Sequence, residues 1–228
     1  MAKKLPISAA DFIPPAADLD DTRAAAAACR GCDLYKLGTR TVFGEGTPRA
    51  QVMFVGEQPG DQEDKKGRPF VGPAGKLLDR ALEEAGIDRK LVYVTNVVKH
   101  FKWVKAASGT RRLHKTPSSR EIAACTPWLQ RELELVKPKI VVALGATAAQ
   151  ALMGKDFRLT KHRGEVLASP LGVPLIATVH PSSALRAPDD EARRKAIAAF
   201  IADVKTIAAA LGASRRVARA QEPAPIRE

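Results

Sequence analysis

Cysteine is scarce: the 228-residue chain has three. An odd and small number is a poor basis for a disulfide framework, and a chain kept in a reducing compartment holds its thiols free. Two form the pair Cys29-Arg-Gly-Cys32 and Cys125 stands far along the chain. That spacing suits half a metal site or plain buried thiols, and it does not separate zinc from an iron–sulfur cluster. Long apolar runs are missing too. No stretch reaches the roughly eighteen residues that span a bilayer. The first residues, MAKKLPISAADFIPP, lack the apolar centre of a secretion signal, so a cytoplasmic location is expected. Acidic residues are outnumbered, 25 against 37 Lys and Arg, for a net charge of +12. That excess favours nucleic acid as partner over a membrane surface. Between Lys99 and Arg120 acid is absent altogether, while seven Lys or Arg residues are interleaved with Phe101 and Trp103. Charge runs are usually solvated surface, but cations mixed with aromatics fit a track for a single strand.

What remains has the proportions of a globular α/β protein, with 45% hydrophobic residues and no internal repeat. Residues 1–20, with Pro14-Pro15, read as a loosely held arm, 21–212 as one domain, and 213–228 as a disordered basic tail. Strand-like runs are expected at 51–55, 91–95, 139–145 and 174–178, short and bounded by turn residues. Helices are expected between them: 74–85 with Gly86 as its stop, 118–136 with Ser118 and Glu121 as a capping box, 146–153 and 191–211. Alternation of this kind predicts a parallel sheet covered by helices on both faces.

Ligand sites in such sheets lie beyond the carboxyl ends of the strands. Four polar or glycine-rich segments are expected there: GEQPGD from Gly56, NVVKHFK from Asn96, GATAAQ from Gly145 and VHPSS from Val179. Glycine and proline explain the first turn, but not the Glu57 and Gln58 at its tip. Phe70, in GRPFVGPAG, is either core or a surface for stacking a flat ring. Asn96 either caps a turn or reads the edge of an amide-bearing ring through paired donor and acceptor. His180 either bonds to backbone or faces the site, and His162 has no assigned role. The oddest residue is His114, a lone imidazole in the basic loop GTRRLHKTPS. Such a loop gains nothing structural from it.

Taken together, GEQPGD, GRPFVGPAG, YVTNVVKHFK, RRLHKTPS and VHPSS resemble, in that order, the iron–sulfur branch of the uracil-DNA glycosylase superfamily. Gln58, where family 4 usually has alanine, and the inserted loop bearing His114 resemble the UdgX type more narrowly. The resemblance implies a three-layer α/β/α fold with a central four-stranded parallel sheet. It implies a [4Fe–4S] cluster held by Cys29, Cys32, Cys125 and, in place of a fourth cysteine, His100. It implies uracil-containing DNA as substrate, single strands preferred; a monomer is the default expectation. Uracil would stack on Phe70 over Gly56, with Asn96 reading its edge and Gln58 nearby. His180 would face the carbonyl oxygen that gains charge as the glycosidic bond breaks. His114 would then attack the sugar C1′ and join protein to DNA, with Glu57 orienting it and Asp61 in support. Arg111, Arg112 and Lys115 would depress the pKa of His114 and hold phosphates, Ser182 would contact DNA, and Leu185 would wedge into the duplex. Two rivals stand beside this reading. One is a family 4 glycosylase that turns over and releases abasic DNA; the other is a non-catalytic iron–sulfur module that binds nucleic acid.

Overall fold

The computed structural model describes residues 8–107 and 109–220, with side chains as far as residue 212. In chain order the strands are β1 (Val52–Gly56), β2 (Val92–Asn96), β3 (Trp103–Lys105), β4 (Arg112–His114), β5 (Ile140–Leu144), β6 (Val166–Leu167) and β7 (Leu175–Thr178). The helices are α1 (Leu19–Ala26), α2 (Asp61–Lys66), α3 (Pro73–Glu84), α4 (Ser119–Val136), α5 (Ala146–Met153), α6 (Leu159–His162), α7 (Pro181–Leu185) and α8 (Asp190–Ala220). The main sheet runs β2-β1-β5-β7-β6. Its first four strands are parallel, as expected, and β6 pairs antiparallel at the edge, an addition to the four. A two-residue strand with Val166 exposed has no periodicity to announce it. Among the described residues no helix is long and apolar enough to cross a membrane.

Every residue of β1, β2, β5 and β7 is buried, because helices cover both faces. Met53, Val55, Tyr93, Val141 and Ala143 face α4 and α5, with Cys125, Trp128, Ala148 and Leu152 packed on them. Val52, Phe54, Val94, Val142 and Ile176 face α3 and α8, meeting Leu78, Leu82, Phe200 and Val204. Each fully buried leucine contributes roughly 1.5–3 kcal/mol. The expected helix ends are present: Ser118 Oγ accepts from Glu121 N while the Glu121 carboxylate takes Ser118 N, and Gly86 stops α3 at φ +68°.

The segment read as a loose arm is packed from Ser8 onward. A short 3-10 turn, Ala9–Phe12, is capped by Ser8 and Asp11, and Ala9 is buried. The chain there lies so close to the Cys29–Cys32 loop that a Cβ on Gly31 would sit 2.5 Å from Ala9 N. Arg131 of α4 donates to Ala17 O at 2.6 Å. Prolines and scattered acids hide this docking in the sequence, since it depends on single small residues rather than on a periodic face. At the other end α8 runs on to Ala220, into the stretch expected as a tail, whose residues 221–228 lie outside the described residues.

Candidate active site

The carboxyl ends of β1, β2, β5 and β7 open into a cleft of about 790 Å³. Asn96 lines it, and Gly56 is the register partner of Asn96 on β1. A Cβ on Gly56 would lie 2.3 Å from Asn96 Oδ1 and 3.1 Å from Phe70 Cζ, so only glycine lets amide and ring approach this closely. Phe70 sits at φ +55°, a conformation that costs a non-glycine residue about 1 kcal/mol. The turn into α3 enforces it, and Gly75 leaves the room: a Cβ there would fall 1.6 Å from the Phe70 carbonyl oxygen. The Phe70 ring stacks at 6.1 Å on His180.

His180 caps α7, accepting Ser182 N at Nδ1 (3.2 Å). A nitrogen that accepts from a backbone N–H carries no proton, so the Ser182 hydroxyl donates to it as well (2.8 Å). The ring proton therefore resides on Nε2. Burial first, then Arg186 and His114, lower the His180 pKa to about 4. The result is a neutral imidazole with one N–H donor, lining the cleft.

Glu57 follows Gly56 at the end of β1. Its Oε2 accepts from Thr147 Oγ1. Its Oε1 is buried and has no hydrogen-bond partner among the described residues. Facing that oxygen at 3.4 Å is His114 Nε2. The His114 side chain is 49% exposed, at the cleft mouth, and its ring leans on Phe101. Burial lowers its pKa; Glu57 opposes the shift and Arg186 adds to it. The depression expected from Arg111, Arg112 and Lys115 is not its origin, because Arg112 is paired with carboxylates and the other two are exposed, where water screens them.

His114 reaches the cleft on a two-stranded hairpin, β3 paired with β4, in which it faces Trp103. Polar contacts fasten this hairpin. The buried Gln58 donates through Nε2 to Lys102 O and Lys115 O, 3.1 Å each, and its Oε1 accepts Lys102 N at 3.0 Å. Its amide is thus committed to the two ends of the hairpin rather than to a base. Arg112 likewise turns inward: Nε meets Asp61 Oδ1 and Nη1 meets Asp64 Oδ2, both at 2.6 Å. Its guanidinium also lies over the rings of Phe101 and Trp103. Asp64 is fully buried and accepts Thr39 N as well, at 2.8 Å. Lys102 pairs with Glu121 at 2.7 Å. Arg111 and Lys115 are exposed and without an acidic partner among the described residues. The Ser182 hydroxyl is spent on His180, and Leu185 is half-buried against the α3–α8 core at the cleft rim. Asp64, Thr147 and Arg186 escaped the sequence reading. Asp64 alone had a signal, three residues beyond Asp61 on one helix face.

Behind the cleft, the three cysteines converge. Lys99 N donates to Cys125 Sγ at 3.3 Å and Trp128 Nε1 to Cys29 Sγ at 3.2 Å. Burial pushes the Cys125 thiol up to about 12, with Cys32 and Cys29 adding to the rise. His100, next to Lys99, is buried and bonds Thr41 Oγ1 through Nε2 at 2.9 Å, leaving Nδ1 available. Among the described residues no three His, Cys, Asp or Glu side chains gather to hold a single metal ion. The two N–H donors aimed at buried sulfurs are the feature of this donor set that suits thiolate ligands.

Residues 43–205 match the family described as the uracil DNA glycosylase superfamily. The chain is 42% identical over 167 residues to a type-4 uracil-DNA glycosylase of Thermotoga maritima, covering 73% of this chain and 82% of the relative. It is 40% identical over 169 residues to a type-4 enzyme of Sulfurisphaera tokodaii, covering 71% and 73%. To a type-4 enzyme of Archaeoglobus fulgidus it is 38% identical over 177 residues, covering 75% and 84%. With its mostly parallel sheet and this likeness along most of its length, the chain belongs to the uracil-DNA glycosylase superfamily.

Proposed function

We propose that this protein is a uracil-DNA glycosylase of the UdgX type, which excises uracil, preferentially from single strands, and is captured by the DNA it acts on. The relatives named above carry the uracil-excising half of the proposal. The observation that carries the other half is the imidazole of His114 held across the cleft mouth, 3.4 Å from a buried, unpartnered oxygen of Glu57.

The target nucleotide must leave the stack to enter the cleft, which costs least in a single strand. Phe70 offers its ring to one face of uracil and Asn96 its amide to the edge. As the N1–C1′ bond breaks, the electron pair passes to uracil, and the Nε2–H of His180 receives the oxygen on which charge develops. Because that imidazole is neutral at working pH, it donates without competing as an acid. The sugar is left oxocarbenium-like, and the Glu57 carboxylate stabilises it. A lone pair of neutral His114 then bonds to C1′, and the imidazolium so formed is met by the same carboxylate. No water enters, and the product is a protein–DNA adduct. Gln58, Arg112, Asp61 and Asp64 act as positioning residues for the hairpin, and Arg111 and Lys115 face the phosphates.

Cys29, Cys32, Cys125 and His100 would hold a [4Fe–4S] cluster. Bound there, it would tie the N-terminal segment, α4 and the connection after β2 into one unit, with histidine ligation raising its potential relative to an all-cysteine site.

The test is a denaturing gel of the protein mixed with a uracil-containing single-stranded oligonucleotide. A slow band surviving heat and detergent is expected, and His114→Ser should remove it while alkali-labile abasic product accumulates. Abasic product without the band from the unaltered protein would mean a turnover enzyme; untouched oligonucleotide would mean a binding module.

A further inference from the structure

Two of the large hydrophobic side chains left exposed among the described residues, Val104 and Leu113, stand on the hairpin that carries His114. Val104 and Leu113 are direct cross-strand partners, 43% and 39% exposed. Strand pleating puts them on the face opposite Trp103 and His114. Neither belongs to either core. Leu113 also lines the cleft, and Val104 stands beside it across the ladder. On that same face the alternation places Arg111 and Lys115, both exposed and without acidic partners among the described residues.

An isolated surface leucine needs no explanation, but an aliphatic pair flanked by unpaired cations at the mouth of a site is a different object. The cations call for a polyanion, and the apolar surface between them calls for something flat and poorly hydrated. A single strand of DNA offers both, phosphates along one side and base faces along the other. The strand that delivers a base to Phe70 and Asn96 must also cross the edge of the cleft that Leu113 lines.

We propose that the Val104–Leu113 pair is a seat for the bases next to the extruded uracil, with Arg111 and Lys115 holding the flanking phosphates. This extends the function proposed above and rests on DNA being the substrate. The seat favours single strands, because in a duplex those base faces are already stacked.

The experiment replaces the pair by Val104→Thr and Leu113→Thr together, keeping strand propensity while removing apolar surface. Fluorescence anisotropy measures binding to a uracil-free single-stranded oligonucleotide over a range of salt. The double variant should bind roughly fivefold more weakly. The slope of log Kd on log salt should not change, since no phosphate contact is lost. Val166→Thr, on the edge strand β6, should bind like the unaltered protein. A thermal melt checks the fold; if the double variant melts early, each single change should show a smaller loss of the same kind. Unchanged affinity overturns the proposal, and so does a loss accompanied by a shallower salt slope, which would mean displaced cations. The unaltered protein is run in parallel on a uracil-containing oligonucleotide. If it processes uracil while the double variant binds normally, only the seat fails. If it leaves uracil untouched, the functional reading fails separately.

Discussion

Replacing Gln58 by alanine separates two roles that its position at the cleft allows. The side chain makes three hydrogen bonds, two from Nε2 to Lys102 O and Lys115 O and one from Lys102 N to Oε1. All three go to backbone flanking β3 and β4, and none is left for a base. At roughly 0.5–1.5 kcal/mol net for each bond, their loss should cost the hairpin about 2–3 kcal/mol of positioning. One 1.4 kcal/mol step is about a factor of ten, so Gln58→Ala should slow capture of DNA by some 30- to 100-fold. Phe70, Asn96 and His180 are carried on other elements, and uracil release should fall less than threefold. The assay follows both products over time from one uracil-containing single-stranded oligonucleotide: alkali-labile abasic sites for release and heat-stable adduct for capture. Abasic product that escapes capture should appear where the unaltered protein leaves almost none. Two results would refute the reasoning. Capture at the unaltered rate would mean that the hairpin is held adequately by Arg112 and the Lys102–Glu121 pair. A rise in the KM for release, with capture following in step, would mean that Gln58 reads the base.

His180 has a pKa of about 4 in the folded protein against an ordinary value of 6.5. The unfolded chain therefore binds the extra proton first, and folding stability is lost as pH falls from 6.5 toward 4. In His114→Ser protein, where the other cleft imidazole is absent, uracil release should stay flat from neutral pH and change only through a limb well below 6.5, burial being the first cause of the shift. A limb at 6.5 would show His180 to be solvated. Lys99, fully buried, pairs with the equally buried Glu132 and donates to Asn96 O at 2.7 Å. Lys99→Met strands the Glu132 charge at about 3–5 kcal/mol, and a melting curve should shift down by roughly 10 °C. A shift under about 2 °C would show that the pair contributes little.

Why some of this was legible and some was not follows from the range of the interactions. Buried parallel strands are local runs, so all four are found within a residue of their expected ends, and α5 spans the expected residues. The capping box of α4 links residues three apart and is equally readable. The oddness of His114 could be seen as well, because an imidazole in a basic loop lacks a structural reason to be there. Its support could not. Gln58 meets partners 44 and 57 residues away, and Arg112 finds Asp61 and Asp64 across a similar gap. At that separation the sequence supplies residue types but no pairing. A buried amide and an exposed one read alike, and so do a guanidinium for phosphate and one already neutralised. The edge strand β6 and the docking of Ala9 fail for the opposite reason, being too short for any pattern to develop.

The hairpin has one more consequence. Its side chains join neither core, and it is fastened to α2, α4 and the turn after β1 by amide, guanidinium and ammonium contacts. It is an attachment rather than a structural member. On the proposed chemistry, whether the DNA departs or stays is decided by this attachment, while the scaffold beneath decides what is bound and cut. Catalyst and trap would then be one machine with and without a removable part. Fitting or removing that part would ask almost nothing of the sheet that carries it.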